Sequence, residues 1–574
     1  MLTAVVVLMR KCIRPLVSAV WVVAAVVPLA LPARAQSVNL SKISPQLVAD
    51  MTATPLALIP VIVEMAPASP PFAPGVNLAL AQQAVTILNA NGQPVGALPL
   101  IQAAAGYATS AGIQAMSQLP QVAAIEEDSV VRPRRSASSG SPLPGQFTSL
   151  YPREVRATQV WQQGGSGRGV TVAVLDSGIA SNPDLGTRIQ AEVSFAGPYD
   201  PQRPDPGGHG THIAGTIAGD GTSSAGQYVG MAPHAGLVSV QVLDRNGNGR
   251  ISSVVRGIEW AIAHQAEFNI RVLNLSFGAR VLGASYRTDP LAAAVEIAWK
   301  HGIVVVAAAG NSGPSSGTVE SPGVDPYVIT VGATDDQATL SLSDDMLAWF
   351  SAWGMPTDSS PKPDLLADGR RIVSLRVPGS SIDMLLPDHV VTANNGSTYT
   401  RLTGTSMATA VVSGAVALML ERQPLLKPDQ VKQILVQTTQ AFGQSATAPP
   451  AGAAGAGLLD AYAATSSAAR GSANQGLRVA NGLARTLYPI LFGQPLVWNS
   501  TTYLGTDWSL FTWLTLPWTS VAWDNIAWDN IAWDNIAWDN IAWDQTAWDN
   551  IAWDNIAWDN TEWNNIAWDS FNQD

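Results

Sequence analysis

Three short segments of this chain hold the residue types that nucleophilic catalysis needs. Val172-Ala-Val-Leu-Asp176-Ser-Gly178 places an acid where a buried strand ends. Gly208-His209-Gly-Thr-His212-Ile-Ala-Gly215 places a histidine at the mouth of a glycine-containing helix. Leu402-Thr-Gly404-Thr-Ser406-Met-Ala-Thr409 places a serine at the start of an apolar helix. A serine hydroxyl is a weak nucleophile. It needs a base to take its proton, and the base needs an acid to fix its tautomer and stabilise the imidazolium. A helix opening at Ser406 offers free backbone N–H groups and a positive dipole end to an oxyanion. Gly310-Asn311-Ser312-Gly313 follows another strand end, where the Asn311 amide can donate to the same oxyanion. His209 and His212 stand three residues apart, but no His or Cys cluster lies near to complete a metal site, so His212 reads as a packed helix residue.

These groups need a frame. Val170-Thr-Val-Ala-Val-Leu175, Leu237 to Leu243, Arg271 to Leu275 and Ile303 to Ala309 read as buried strands. Ser252 to His264 and Pro290 to His301 read as helices between them. Such alternation predicts an α/β fold, a doubly wound parallel sheet with helices on both faces. Functional groups of that architecture gather at the carboxyl ends of the strands.

With the motifs in the order Asp, His, Ser, the chain resembles the subtilisin family over roughly residues 155 to 466. The resemblance implies a serine endopeptidase in which Asp176 orients, His209 is general base and acid, and Ser406 is the nucleophile. Asn311 and the Ser406 N–H would form the oxyanion hole. Gly247, Asn248 and Gly249 resemble one edge that pairs with substrate backbone, and Ser276, Phe277 and Gly278 the opposing edge. Ala308, Ala309 and Gly310 resemble a wall of the specificity pocket, and Glu320 falls at its base, where relatives often carry a small residue. A carboxylate there would favour a cationic side chain. The chemistry implied needs no cofactor. Asp184 matches a calcium ligand of the family, although the partner loop, residues 220–229, differs. After Ser406 the family usually has Pro and His, whereas Ala410-Val411-Val412 stand here. No catalytic group is removed, so activity is expected to survive.

The remainder of the 574 residues is read around that domain. Residues 1–35, with Arg10, Lys11 and Arg14 before an apolar run and Ala33-Arg34-Ala35 after it, read as a cleaved signal peptide, hence a secreted protein. The single cysteine, Cys12, lies in that segment, so the mature chain has no disulfide. Residues 36–135 read as a small α+β unit, with a strand at Leu58 to Val63, a helix at Ile101 to Leu119 and a strand at Val122 to Ile125. They resemble the family's inhibitory propeptide, which makes the chain's own N-terminal unit an intramolecular partner. Residues 136–154 form a linker after a basic junction bearing Arg132, Arg134 and Arg135, with self-processing expected after Arg135. The catalytic domain occupies 155–470 and an aromatic stretch 471–522. In 523–574 Trp recurs every five residues in ten copies of a Trp-Asp-Asn-Ile-Ala theme. Period five fits neither a helix stripe nor a one-sided strand. Ten exposed tryptophans would be an apolar liability, so the tail is expected to self-pack as a solenoid or to attach the enzyme to a surface. That tail also carries the rival reading, a surface adhesin or binding protein on a subtilisin scaffold. A net charge of −12 argues against a nucleic-acid partner and leaves proteins or peptides as substrates.

Overall fold

The computed structural model describes residues 39–478, except 67–75, 100–102, 129, 134–149, 280, 282–285, 287–288, 355–359, 443–447 and 470, with short strand pieces beyond. The signal-like segment, most of the basic junction and the Trp repeat lie outside the described residues. No described helix is long and apolar enough to cross a membrane.

The N-terminal part forms an antiparallel sheet from β1 (Ile59–Met65), β2 (Gly92–Leu98), β3 (Ala103–Ala108) and β4 (Val122–Glu127), in the order β2-β3-β1-β4. Helices Val76–Asn91 and Ser110–Ser117 pack on it. The helix expected from 101 to 119 is thus split: its first half is a strand. Ala-Ala-Ala-Gly-Tyr-Ala has no strand propensity to speak of, but β3 is an inner strand paired on both sides. Its small residues let a helix approach closely. A Cβ on Gly106 would come within 2.6 Å of the Leu88 side chain and 2.3 Å of the Gln93 carbonyl. A fifth strand, β5 (Val130–Pro133), leaves this unit altogether.

The larger part is built on β6 (Thr171–Asp176), β7 (Ile189–Ser194), β8 (Gly236–Gln241), β9 (Gly249–Arg250), β10 (Ile270–Leu275), β11 (Phe277–Gly278), β12 (Val304–Ala308), β13 (Ile329–Asp335), β14 (Met346–Leu347) and β15 (Leu365–Asp368). Its main sheet runs β14-β13-β12-β10-β6-β8-β7, with β15 also on β13. All its pairs are parallel except β13 with β14. The central strand β6 has every residue buried, which is why its sequence is a continuous β-branched and apolar run rather than an alternating one. Val172 pairs with Val272 on one side and Leu237 on the other. Helix Thr405–Arg422 is buried from Thr405 to Leu420, so its apolar residues surround it instead of forming a stripe. Ala410, Val411 and Val412 are part of that buried run, where no proline interrupts the helix. The expected α/β architecture is therefore the observed one.

Candidate active site

Asp176 is the last residue of the central strand, and His209 the first of helix His209–Ala218. Both are buried. The His209 Nδ1–H donates to the Asp176 carboxylate, 2.8 and 2.9 Å from its two oxygens, while the Ser177 N–H donates to Oδ1 at 2.7 Å. That fixes the tautomer with Nε2 as acceptor. Two glycines permit the approach. Gly208 has φ +90°, a left-handed conformation, and a Cβ on Gly210 would meet the Gly178 carbonyl at 2.1 Å.

Sequence reasoning missed the group that holds this corner. Asp205 sits between two prolines in a loop, without an element to announce it. Its Oδ1 accepts from Ser177 Oγ and the Gly208 N–H, both at 2.7 Å, and its Oδ2 from the Thr211 N–H and hydroxyl at 2.8 and 2.6 Å. It thereby ties the strand end bearing Asp176 to the helix start bearing His209. Burial nevertheless raises its pKa. His212 behaves as the packed residue its position implied. Its Nε2 lies 3.1 Å from the carbonyls of Ile372 and Thr400, and burial lowers its pKa to about 3, so it is neutral.

Ser406 is the second residue of helix Thr405–Arg422, next to β11. Its hydroxyl donates to the Ser276 carbonyl at 2.9 Å, and Ser276 Oγ donates back to the Ser406 carbonyl at 2.9 Å. Asn274 Nδ2 donates to Ser276 Oγ, and Asn274 Oδ1 accepts from the Ser413 hydroxyl. Asn311 uses its Oδ1 to accept from the Thr405 N–H at 3.0 Å and hydroxyl at 2.9 Å. This orients its amide. Among the described residues Asn311 Nδ2 and His209 Nε2 are buried without a hydrogen-bond partner. The Ser406 hydroxyl is bonded to Ser276 and not to His209.

The two segments expected to pair with substrate backbone are joined by a strand of this chain. Strand β5 lies between β11 and β9, antiparallel to both. Arg132 pairs with Gly278 and Pro133 with Phe277, while Val130 and Val131 pair with Arg250 and Gly249. Gly247, at φ +82°, and Asn248 form the turn leading to β9; the Asn248 N–H donates to Asp244 Oδ1 at 2.8 Å. The N-terminal sheet also docks on the larger part. Ile62, Leu98, Ala103 and Ala105 share one apolar cluster with Ile251, Val254 and Ile258.

Glu320 is 3% exposed, and its carboxyl group lies against Gly310, where an added Cβ would fall 2.5 Å from it. Its N–H donates to the Ala309 carbonyl at 3.0 Å, and its Oε1 accepts from Ser312 Oγ at 2.8 Å. Asp184 is also buried, but its surroundings do not suit calcium. Its two carboxylate oxygens take the Ser223 N–H and, at 2.6 Å, the Tyr399 hydroxyl. Arg188 donates to its backbone carbonyl and to Asp220. The lone pairs a cation would use face protons, and a guanidinium already supplies the positive charge. Among the described residues no group of His, Cys, Asp and Glu is arranged to hold a metal ion.

Comparison with known proteins agrees with this architecture. Residues 167–470 match the profile of the subtilase family, peptidase S8. The chain is 46% identical over 285 residues to serine protease AprX of Bacillus subtilis, a match covering 48% of this chain and 62% of that relative. It is 34% identical over 353 residues to subtilisin E of the same species, covering 60% of this chain and 77% of that one. An alkaline protease of Alkalihalobacillus alcalophilus is likewise 34% identical over 353 residues, with 62% and 76% covered. The family match spans more than half the sequence: the chain belongs to the subtilase family, the subtilisin-like serine endopeptidases.

Proposed function

We propose that this protein is made as a secreted zymogen and hydrolyses peptide bonds through Asp176, His209 and Ser406. The observation that carries the reading is that His209, held by Asp176, and Asn311, held by Thr405 beside Ser406, each keep one buried nitrogen without a partner among the described residues. Ser406 Oγ bonds to the scissile carbonyl carbon as His209 Nε2 takes its proton. The negative charge that develops on the carbonyl oxygen is met by Asn311 Nδ2 and the Ser406 N–H. The C–N bond then breaks, His209 returns the proton to the leaving amine, and an acyl ester remains on Ser406. Water, deprotonated by His209, hydrolyses that ester and restores the site. Asp176 holds the imidazole in register and balances its charge throughout. No metal or cofactor enters these steps.

In the same reading residues 36–135 inhibit the enzyme and assist its folding. Support comes from β5, which fills both substrate edges as an added strand. Export rests on the sequence of residues 1–35, and surface attachment on the Trp repeat of residues 523–574, both outside the described residues. The test is a double-variant series. Ser406→Ala and His209→Ala should each abolish hydrolysis, and the double variant should be no worse than either alone, because the groups act as a unit. Additive losses would contradict the reading.

A further inference from the structure

We propose that Asp205 is a positioning residue for catalysis: acting through Ser177 and Thr211, its carboxylate keeps the His209 imidazole in register with Asp176 and thereby sets kcat. The inference rests on the peptidase reading above.

Two hydroxyls decide where the protons around Asp205 lie. Ser177 Oγ accepts from the Gly210 N–H at 3.0 Å, which leaves its own proton for Asp205 Oδ1 at 2.7 Å. Thr211 Oγ1 accepts from the Ala180 N–H at 2.8 Å and gives its proton to Asp205 Oδ2 at 2.6 Å. The N–H groups of Gly208 and Thr211, which can only donate, reach Oδ1 and Oδ2 at 2.7 and 2.8 Å. Four donated bonds fill the lone-pair positions of a carboxylate, so no place remains on Asp205 for a proton of its own. Burial pushes its pKa up, and these bonds oppose the rise. At 2% exposure the charge stays out of water and is balanced by fixed dipoles alone.

The groups it binds bracket the catalytic pair. Ser177 directly follows Asp176, and Gly208, Gly210 and Thr211 lie on either side of His209. Gly208 caps helix His209–Ala218 but has no side chain to satisfy the first-turn amides. They are satisfied from outside the helix: that of Gly210 by Ser177 and that of Thr211 by Asp205. Ser177 is itself fixed, because its N–H donates to Asp176 Oδ1 and its carbonyl accepts from Gln241 Nε2 at 2.9 Å. Between Asp205 and His209 stand Pro206 and two glycines, and glycine backbone holds a position only when something else fixes it. The bond from Gly208 to Asp205 supplies that restraint.

Charge adds to geometry. In the proposed reaction His209 takes a proton at the positive end of a helix dipole, where a cation is disfavoured. A carboxylate at the same helix end offsets that field, by contact from Asp176 and through the intervening groups from Asp205. His212, on the first turn of the same helix, is neutral and adds nothing to the balance. An asparagine at position 205 would accept at one oxygen only. Its amide nitrogen would face the N–H of Gly208 or of Thr211, so one anchor would be lost together with the charge.

The experiment expresses the full chain and measures kcat and KM on one peptide substrate, per site titrated with a fluorophosphonate, so that misfolded molecules are not counted. Asp205→Asn should lower kcat by on the order of tenfold to a hundredfold, the scale of a misplaced catalytic group, and leave KM within about threefold. In a His209→Ala background the same change should alter residual hydrolysis by less than about threefold, because the group it positions is gone. Thr211→Val, which removes one donated bond, should lower kcat by about tenfold, while Thr211→Ser, which keeps the hydroxyl, should match the wild type. The Thr211 pair decides the matter if Asp205→Asn does not fold. An unchanged kcat in Asp205→Asn, a loss confined to KM, or the same loss in the His209→Ala background overturns the positioning role. Equal rates in Thr211→Val and Thr211→Ser overturn the path through Thr211. A wild type that neither cleaves the peptide nor reacts with the fluorophosphonate overturns the peptidase reading itself.

Discussion

Asp128 of the N-terminal unit caps a helix of the catalytic unit through Ser252. Its Oδ1 accepts from the Ser252 N–H at 3.2 Å and its Oδ2 from the Ser252 hydroxyl at 3.0 Å, at the opening of helix Ile251–Ala263. Arg250 donates to the Asp128 carbonyl. The carboxylate thus takes the place of a cap that the helix lacks within its own sequence. Asp128→Ala should weaken the docking of residues 36–135 by about 1–2 kcal/mol, the usual worth of a cap. An isolated N-terminal fragment with this change should inhibit the mature enzyme roughly tenfold less well. Equal inhibition constants for the two fragments would show that the cap does not contribute to docking.

Asn311 supplies a second prediction. Since Oδ1 is taken by Thr405, Nδ2 is the part of the amide left without a partner among the described residues. Asn311→Ala should reduce kcat by about a hundredfold to a thousandfold, the cost known for removing such a donor from a subtilisin, with little change in KM. A loss confined to KM would place Asn311 in ground-state binding instead.

Glu154 is buried against Asp368, Asp345 and Asp336. Burial first, and the neighbouring carboxylates second, push its pKa up to about 12. A carboxyl raised in the fold binds its proton more tightly folded than unfolded. Its contribution is fully present below the unfolded value, near pH 4.5, and is lost as pH rises toward the folded value. Glu154→Gln removes that loss. In a Ser406→Ala background, to suppress autolysis, the variant should gain on wild type by up to about 1.4 kcal/mol for each pH unit above about 5. Denaturant midpoints at pH 5 and 8 measure it. A stability difference that stays constant between the two would mean that Glu154 ionises in the fold.

The Asp184 corner gives a fourth. With its carboxylate satisfied by Ser223 and Tyr399 and its loop held by Arg188, it needs no ion. Chelation by EDTA should leave the unfolding temperature of the Ser406→Ala protein unchanged, whereas Arg188→Ala should lower it by a few degrees. A large drop with EDTA alone, reversed by calcium, would contradict this account of the corner.

The groups proposed for catalysis stand out in the sequence because each is announced locally. Asp176 ends an apolar run, His209 and Ser406 open helices beside glycines, and Asn311 follows a strand. What stayed hidden depends on chain segments far apart. Asp205 reads as a loop residue until Ser177, 28 positions earlier, meets it. No local pattern singles out Lys362 and Lys432, yet both ammonium groups converge on Asp364, at 2.7 and 3.0 Å, and on the Val328 carbonyl. The calcium expectation at Asp184 came from its own motif, but its chemistry is decided by Tyr399 and Arg188. The alanine-rich strand β3 was read as helix because its pairing partners, not its composition, set its conformation.

Active-site labelling tests the central claim most directly. The processed enzyme is treated with a fluorophosphonate, digested and mapped by mass spectrometry, with Ser406→Ala and the unprocessed chain alongside. The account predicts one adduct, on Ser406, in the processed enzyme. It predicts none in the variant and much slower labelling where β5 still fills the cleft. Peptide hydrolysis should fall by on the order of a millionfold in Ser406→Ala. An adduct on another residue, or hydrolysis near the wild-type rate in Ser406→Ala, would contradict the assignment of the nucleophile.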